Sequence, residues 1–173
     1  MQIKNLKPIL SRQFGAALDM FEKQLINCPD ELWSQPLWQN PSTDPGFSDF
    51  WYIAYHTLFF LDLYLFGTYE GFKPPEPFTL DELDPAGMLP DRVYSREELL
   101  DYIHYCRKKG ESYIERLSEQ RALEICHLTW GDPPYLELLI DNLRHVQEHT
   151  AQLSLFLGQH GIKGKWVSQS IQG

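Results

Sequence analysis

Asp141-Asn142-Leu143-Arg144-His145-Val146-Gln147-Glu148-His149-Thr150-Ala151-Gln152-Leu153 reads as the middle of a long helix. Residues four apart on a helix stand one turn apart on one face, so His145 and His149 point the same way, flanked by Asn142 and Gln152. Leu138, Leu153 and Phe156 extend the same stripe. Two imidazoles one turn apart can share a metal ion, but the spacing is weak evidence alone, because the ion needs at least a third ligand. The rest of the chain has to supply it.

The 173 residues suffice for one domain, 1–173, with a substantial core. A content of 43% hydrophobic and 14% aromatic residues excludes a disordered chain. Net charge is -9 and the longest basic cluster is Arg107-Lys108-Lys109, so nucleic acid is disfavoured as a partner. Cys28, Cys106 and Cys126 form no close pair and suit a reducing compartment. Met1 to Leu10 lacks the apolar core of a signal peptide. The longest apolar run, Phe50 to Phe66, contains His56 and Asp62 and is short for a membrane span. The expectation is a soluble cytoplasmic protein with no membrane partner.

Leu6, Leu10, Phe14, Ala17, Leu18, Phe21 and Leu25 recur at helical spacing and predict a first helix over about Asn5–Asn27, stopped by Pro29. Pro29 to Pro45 carries four prolines and reads as an ordered loop with at most a short helical turn, Trp33 and Trp38 capping the core there. A second helix is expected over about Phe47–Phe66. One of its faces carries Asp49, Tyr52, Ile53, His56, Phe60 and Leu63; the opposite face carries Phe47, Trp51, Ala54, Leu58, Leu61 and Leu65. A helix apolar on both faces must be buried on both. Loops of the same chain can cover the second face, but its unbroken stripe favours a homodimer contact through helix two.

Gly67 to Tyr94 contains five prolines and no sustained periodicity. A connection of that length is what a crossover between parallel helices requires. Ser95 with Glu98 forms a capping box that opens a third helix, buried along Leu99, Ile103, Cys106, Tyr113, Ile114 and Leu117 and weakened at Gly110. Arg121 to Trp130 is either a short extended segment or a turn. Asp132-Pro133-Pro134 then opens a fourth helix running to about Leu157, with Asp132 as its cap. The polar tail Lys163 to Gly173 docks only in part. The fold class is all-α: a four-helix bundle with a long connection between helices two and three.

His104, His127 and His160 fall at edges and carry no special signal. His56 differs, because it stands mid-helix in the most apolar segment of the chain. A buried imidazole needs partners for its nitrogens. Alone it reads best as a hydrogen-bonded core histidine; joined with the helical pair of a facing helix it completes a ligand set, His56, His145 and His149. Three neutral imidazoles with an open position match a catalytic metal site, where a bound water or thiol loses its proton more readily. Asp49, Asp141 and Glu148 are the candidates to support the ligands or move protons. Paired Glu-x-x-His motifs, phosphate-binding loops and a Gly-x-Ser-x-Gly elbow do not occur.

Helix one, the Pro29–Trp33 loop Pro-Asp-Glu-Leu-Trp, an aromatic helix with His56, and the closing His145-x-x-x-His149-x-x-Gln152-Leu153 together resemble the DinB/YfiT-like metalloenzyme family. The resemblance covers nearly the whole chain; Ala151 stands where family members commonly carry glycine. It implies an up-down-down-up bundle, metal ligands at His56, His145 and His149, frequent homodimers, and a divalent metal such as zinc or nickel. It also implies a small-molecule substrate, and characterised relatives include transferases and an isomerase that use low-molecular-weight thiols. The leading expectation is a metal-dependent thiol transferase acting on a small electrophile. The alternatives are a metal-dependent hydrolase and a non-catalytic, metal-binding or stress-related helical dimer.

Overall fold

The computed structural model describes residues 2–39 and 45–170. Its elements are α1 (Ile3–Asn27), α2 (Phe50–Phe66), α3 (Arg96–Glu115), the short α4 (Glu119–Leu123) and α5 (Tyr135–Gln159), with no extended strand among the described residues. Side-chain contacts fix the directions of the four long helices. Lys7 donates to the Glu115 carbonyl at 2.7 Å, Arg107 pairs with Asp19 at 2.9 Å, and Arg96 donates to the Leu25 carbonyl at 3.1 Å. Rising numbers in α1 meet falling numbers in α3, so the two are antiparallel. Along α2 and α3 the numbers rise together: Cys106 lies at Leu58 and Gly110 packs on Leu65. That pair is parallel, which is why a long crossover must join them. α5 runs against α2, with Tyr135 donating to the Leu65 carbonyl at 2.7 Å and Phe156 lying 6.0 Å from Phe50. The bundle is up-down-down-up.

Local chemistry explains where the helices begin and end. α1 buries Leu10, Phe14, Ala17, Leu18, Phe21 and Leu25, and Cys28 donates to the Gln24 carbonyl before Pro29 ends the ladder. A single 3-10 turn at Asp30–Leu32 follows. Trp33 is buried and donates to the Tyr94 carbonyl at 2.9 Å, whereas Trp38 is 38% exposed and caps little. α2 closes on Gly67, whose φ of 91° is the left-handed conformation that glycine adopts without strain. A side chain there would also meet the Arg121 guanidinium and the Tyr135 ring. α3 carries the expected capping box, Ser95 accepting from the Glu98 amide and Glu98 from the Ser95 amide, and it runs unbroken through Gly110. α5 begins at Tyr135 without a side-chain cap; Asp132 instead accepts from His127 at 2.9 Å. The segment left open between Arg121 and Trp130 contains the end of α4, capped by Ser118, and a turn closed by paired Leu128 and Gly131.

α2 is apolar all round because it is buried nearly all round. The stripe assigned above to a second copy of the chain has a different cover. Trp51, Ala54, Leu58, Leu61 and Leu65 are at most 4% exposed within one chain. Leu61 and Leu65 share a small apolar cavity with Phe14 and Leu18 of α1 and Ile114 of α3. Leu61 and Leu65 point to the bundle centre and Trp51 packs 6.1 Å from Tyr94, while Phe47 stays partly exposed, so most of the apolar surface that motivated a homodimer through helix two is covered within one chain. Periodicity reveals two apolar faces but not which one points inward. Another side of α2 is closed by the crossover: Phe72 packs 5.4 Å from Phe59, and Phe78 lies between Tyr55 at 5.9 Å and Tyr102 at 4.3 Å.

A charged group sits inside this packing. Asp62 of α2 is wholly buried, accepts from Tyr102 at 3.1 Å and pairs with Lys109 of α3. The rings of Phe66, Phe72, Tyr105 and Tyr113 surround the Lys109 ammonium at 5.2–6.0 Å. The pair ties the two parallel helices together and fixes their register.

The expected ordered loop Pro29–Pro45 includes residues 40–44, and the expected tail Lys163–Gly173 includes residues 171–173; these lie outside the described residues. The described tail docks on α1, where Gln13 donates to the Ser168 carbonyl at 3.1 Å and the Ser170 amide donates to the Arg12 carbonyl at 3.1 Å. Among the described residues no helix is long and apolar enough to cross a membrane.

Candidate metal centre

The antiparallel pair α2 and α5 carries the site. Asn142 donates to the Leu61 carbonyl at 3.0 Å, which fixes the register of the two helices one turn from His145. With that register His56 faces both histidines of α5. The ring centroids lie 5.4 Å apart for His56 and His145, 5.1 Å for His56 and His149, and 4.5 Å for His145 and His149. One nitrogen from each ring lies within 4.8 Å of the other two. A tetrahedral zinc ion with bonds of about 2.0 Å needs its nitrogens about 3.3 Å apart, so the rings would have to close on a bound ion.

The hydrogen bonds on the rings suit a metal. His149 Nδ1 lies 2.8 Å from Gln152 Oε1, an interaction between residues three apart on the helix. With Nδ1–H donating to Gln152, Nε2 keeps its lone pair. His56 Nδ1 lies 2.9 Å from Glu82 Oε2, and a carboxylate there also accepts from Nδ1–H and leaves Nε2 free. His145 Nδ1 is buried with no hydrogen-bond partner, an orphan that an all-protein site leaves unexplained. Burial, helped by the neighbouring His149 and His56, lowers the His145 pKa from 6.5 to about 2. Burial also lowers that of His149, opposed by its bond to Gln152. The α5 rings are therefore held neutral, the form that binds a cation.

Aromatic side chains wall the cluster. Phe60 lies 4.8 Å from His56 and 5.9 Å from His145, Tyr64 lies 6.1 Å from His145, and Tyr52 lies 6.2 Å from His56. The turn before α5 adds Trp130, which donates to the Tyr64 hydroxyl at 3.2 Å. His56 and Phe60 retain partial exposure, so the cluster meets solvent along this side of α2.

None of the three carboxylates named from the sequence is hydrogen-bonded to a histidine of the cluster, although the charge of Asp141 acts on Tyr64 and that of Glu148 on His149. Asp49 precedes α2, two turns from His56, where burial raises its pKa. Asp141 pairs with Arg144 at 3.2 Å, and Glu148 is exposed beyond His149, acting on it only through its charge. The acceptor that His56 uses is Glu82, from the crossover turn Asp81–Leu83. Sequence reasoning passes over it because Glu82 is 26 residues from His56 in a stretch without periodicity. Gln152, by contrast, is legible from its helical spacing.

The remaining candidates stay outside. His104 pairs with Glu22 at 2.9 Å, His127 with Asp132 at 2.9 Å, and His160 bonds the Phe156 carbonyl at 2.9 Å. All three cysteines are free and buried. Burial pushes the Cys28 thiol up to about 12 and raises Cys106 well above its usual value, so neither supplies a thiolate near neutral pH. No known protein-family model matches the chain, and no curated protein matches it.

Proposed function

We propose that His56, His145 and His149 bind one divalent metal ion, zinc or nickel as the resemblance to the DinB/YfiT-like family implies, and that the chain is a metal-dependent enzyme. The convergence of three imidazole nitrogens within 4.8 Å of one another carries this reading. Three nitrogen donors leave a further position open, the pattern of a catalytic rather than a structural site. A divalent cation held by uncharged ligands supplies a Lewis acid that favours an anionic fourth ligand and lowers the pKa of a small thiol.

The chain's own residues do the rest. His145 and His149 are kept neutral by burial, and Gln152 and Glu82 set which nitrogen of their partners faces inward. The buried Tyr64 and Tyr52 exclude water from one side of the histidines and strengthen electrostatic interactions there. The proposed reaction, following the resemblance to the DinB/YfiT-like family, is attack by a low-molecular-weight thiol on a small electrophile. The new sulfur–carbon bond forms as the leaving group departs with its bonding pair, and the thiol proton is lost to solvent. The buried cysteines cannot substitute for the external thiol.

The test is turnover of a generic aryl electrophile by metal-loaded protein with a panel of small thiols, against a chelator-treated control. Turnover that requires both metal and thiol supports the reading. Turnover without any thiol replaces thiol transfer by hydrolysis, and no turnover with any thiol leaves a metal-binding helical protein without this chemistry.

A further inference from the structure

Glu82 is the least expected member of the site. It comes from the long crossover rather than from a helix of the bundle, yet its side chain is only 5% exposed. One carboxylate oxygen lies 2.9 Å from His56 Nδ1, and the other, Oε1, is buried without a hydrogen-bond partner. Its carboxylate also takes a hydrogen bond from the Tyr52 hydroxyl, whose pKa is raised by burial, by this negative charge and by that bond. Among the described residues its one ion-pair partner is His56, not a lysine or arginine. A buried carboxylate with no lysine or arginine paired to it is costly unless other positive charge stands nearby. A dication on the three histidines would place it one imidazole away.

The segment that carries Glu82 is anchored just upstream. Phe78 is buried and stacked on Tyr102, and Tyr55 donates to the Thr79 carbonyl at 3.3 Å. Downstream the anchoring weakens: Asp84 to Leu89 are exposed or, at Leu89, only partly buried. Glu82 is thus the point where a weakly packed part of the crossover meets the metal ligands.

We propose that Glu82 is the positioning residue of His56 and couples the crossover to the metal. Accepting from Nδ1–H, it holds the ring with its Nε2 lone pair toward His145 and His149. An isolated imidazole has no such constraint, so part of the ligand geometry is supplied by the crossover. Linkage makes the coupling reciprocal: if the docked turn raises metal affinity by some factor, bound metal favours the docked turn by the same factor. The inference rests on the metal-binding reading above and adds to it a ligand-dependent ordering of Asp81–Leu83.

The experiment compares the unaltered chain with Glu82→Ala and Glu82→Gln, using zinc as the probe. Three quantities are read: zinc affinity by chelator competition, amide exchange across residues 79–84 with and without zinc, and the His56 tautomer of the metal-free protein by nitrogen chemical shift. The unaltered chain is expected to show the Nδ1–H tautomer and slower exchange of the turn when zinc is added. Glu82→Ala is expected to bind zinc about 10- to 100-fold more weakly, the usual cost of removing such an acceptor. It should also lose the Nδ1–H tautomer and the zinc-dependent protection. Glu82→Gln keeps an acceptor oxygen and the side-chain shape, so it should retain the tautomer with a smaller loss of affinity; this separates positioning from misfolding. Zinc binding by Glu82→Ala as tight as in the unaltered chain overturns the positioning role while leaving the metal reading intact. Exchange across 79–84 that ignores zinc in the unaltered chain overturns the coupling. Failure of the unaltered chain to bind zinc or nickel overturns both this inference and the reading it rests on.

Discussion

Acidifying the metal-free protein should destabilise it through His145, and the size of the effect follows from the burial of that ring. Its pKa falls from 6.5 to about 2 on folding, first because burial penalises the charged imidazole and then because His149 and His56 repel it. In the unfolded chain the ring protonates below its ordinary value; in the folded protein it does not until far lower pH. A folded-state pKa below the unfolded one means that the unfolded state binds the extra proton, so stability is lost as pH falls through 6.5. The slope from this one group is about 1.4 kcal/mol per pH unit below that point. Between pH 7.5 and pH 5 the loss is about 2 kcal/mol. His149 adds in the same direction. The assay is urea unfolding of chelator-treated protein across that pH range, beside His145→Leu, which removes both the titrating group and its orphaned nitrogen. The loss of stability on acidification should be smaller in the variant by that amount. Parallel pH profiles for the two proteins would refute the argument, because they would show that the folded protein protonates His145 freely.

Three other substitutions test the packing. Lys109→Met should destabilise the fold by about 3–5 kcal/mol, since it leaves the wholly buried Asp62 without its cation, and the double variant Asp62→Leu with Lys109→Met should recover much of that loss in thermal unfolding. Trp51→Glu should lower stability rather than change the oligomeric state seen by light scattering, because Trp51 is 4% exposed within one chain and a charge there has to be buried. A folded variant of unchanged melting temperature and reduced molecular mass would place Trp51 in an interface between copies instead.

Much of this architecture is legible in the sequence because local signals and fold agree. The Ser95 and Glu98 box marks the start of α3 to the residue, and the 3.6-residue recurrence of Leu10, Phe14, Leu18, Phe21 and Leu25 marks the buried stripe of α1. The parallel pairing of α2 and α3 follows from the length of the crossover alone. What periodicity cannot supply is rotation about the axis of α2, where both faces are apolar; the stripe through Leu58 and Leu61 turns inward to α1 and α3. The start of α5 misleads for a related reason: Asp132 has the chemistry of a cap, but Pro133 and Pro134 separate it from the first helical residue and His127 takes its carboxylate. At the site, the three histidines are legible because two share a helical face and the third is a polar group in an apolar helix. Glu82 is not, because nothing local connects a crossover turn to a helix 26 residues earlier.

Metal stoichiometry decides whether the three histidines hold a cation. Protein loaded with zinc or nickel, freed of loosely held ions and subjected to elemental analysis, should retain one ion per chain. His149→Ala should retain almost none while keeping the helical circular dichroism of the parent, since removing one of three nitrogen donors leaves only two ligands on α2 and α5. Full occupancy in His149→Ala, or no retained ion in the parent, would contradict the account.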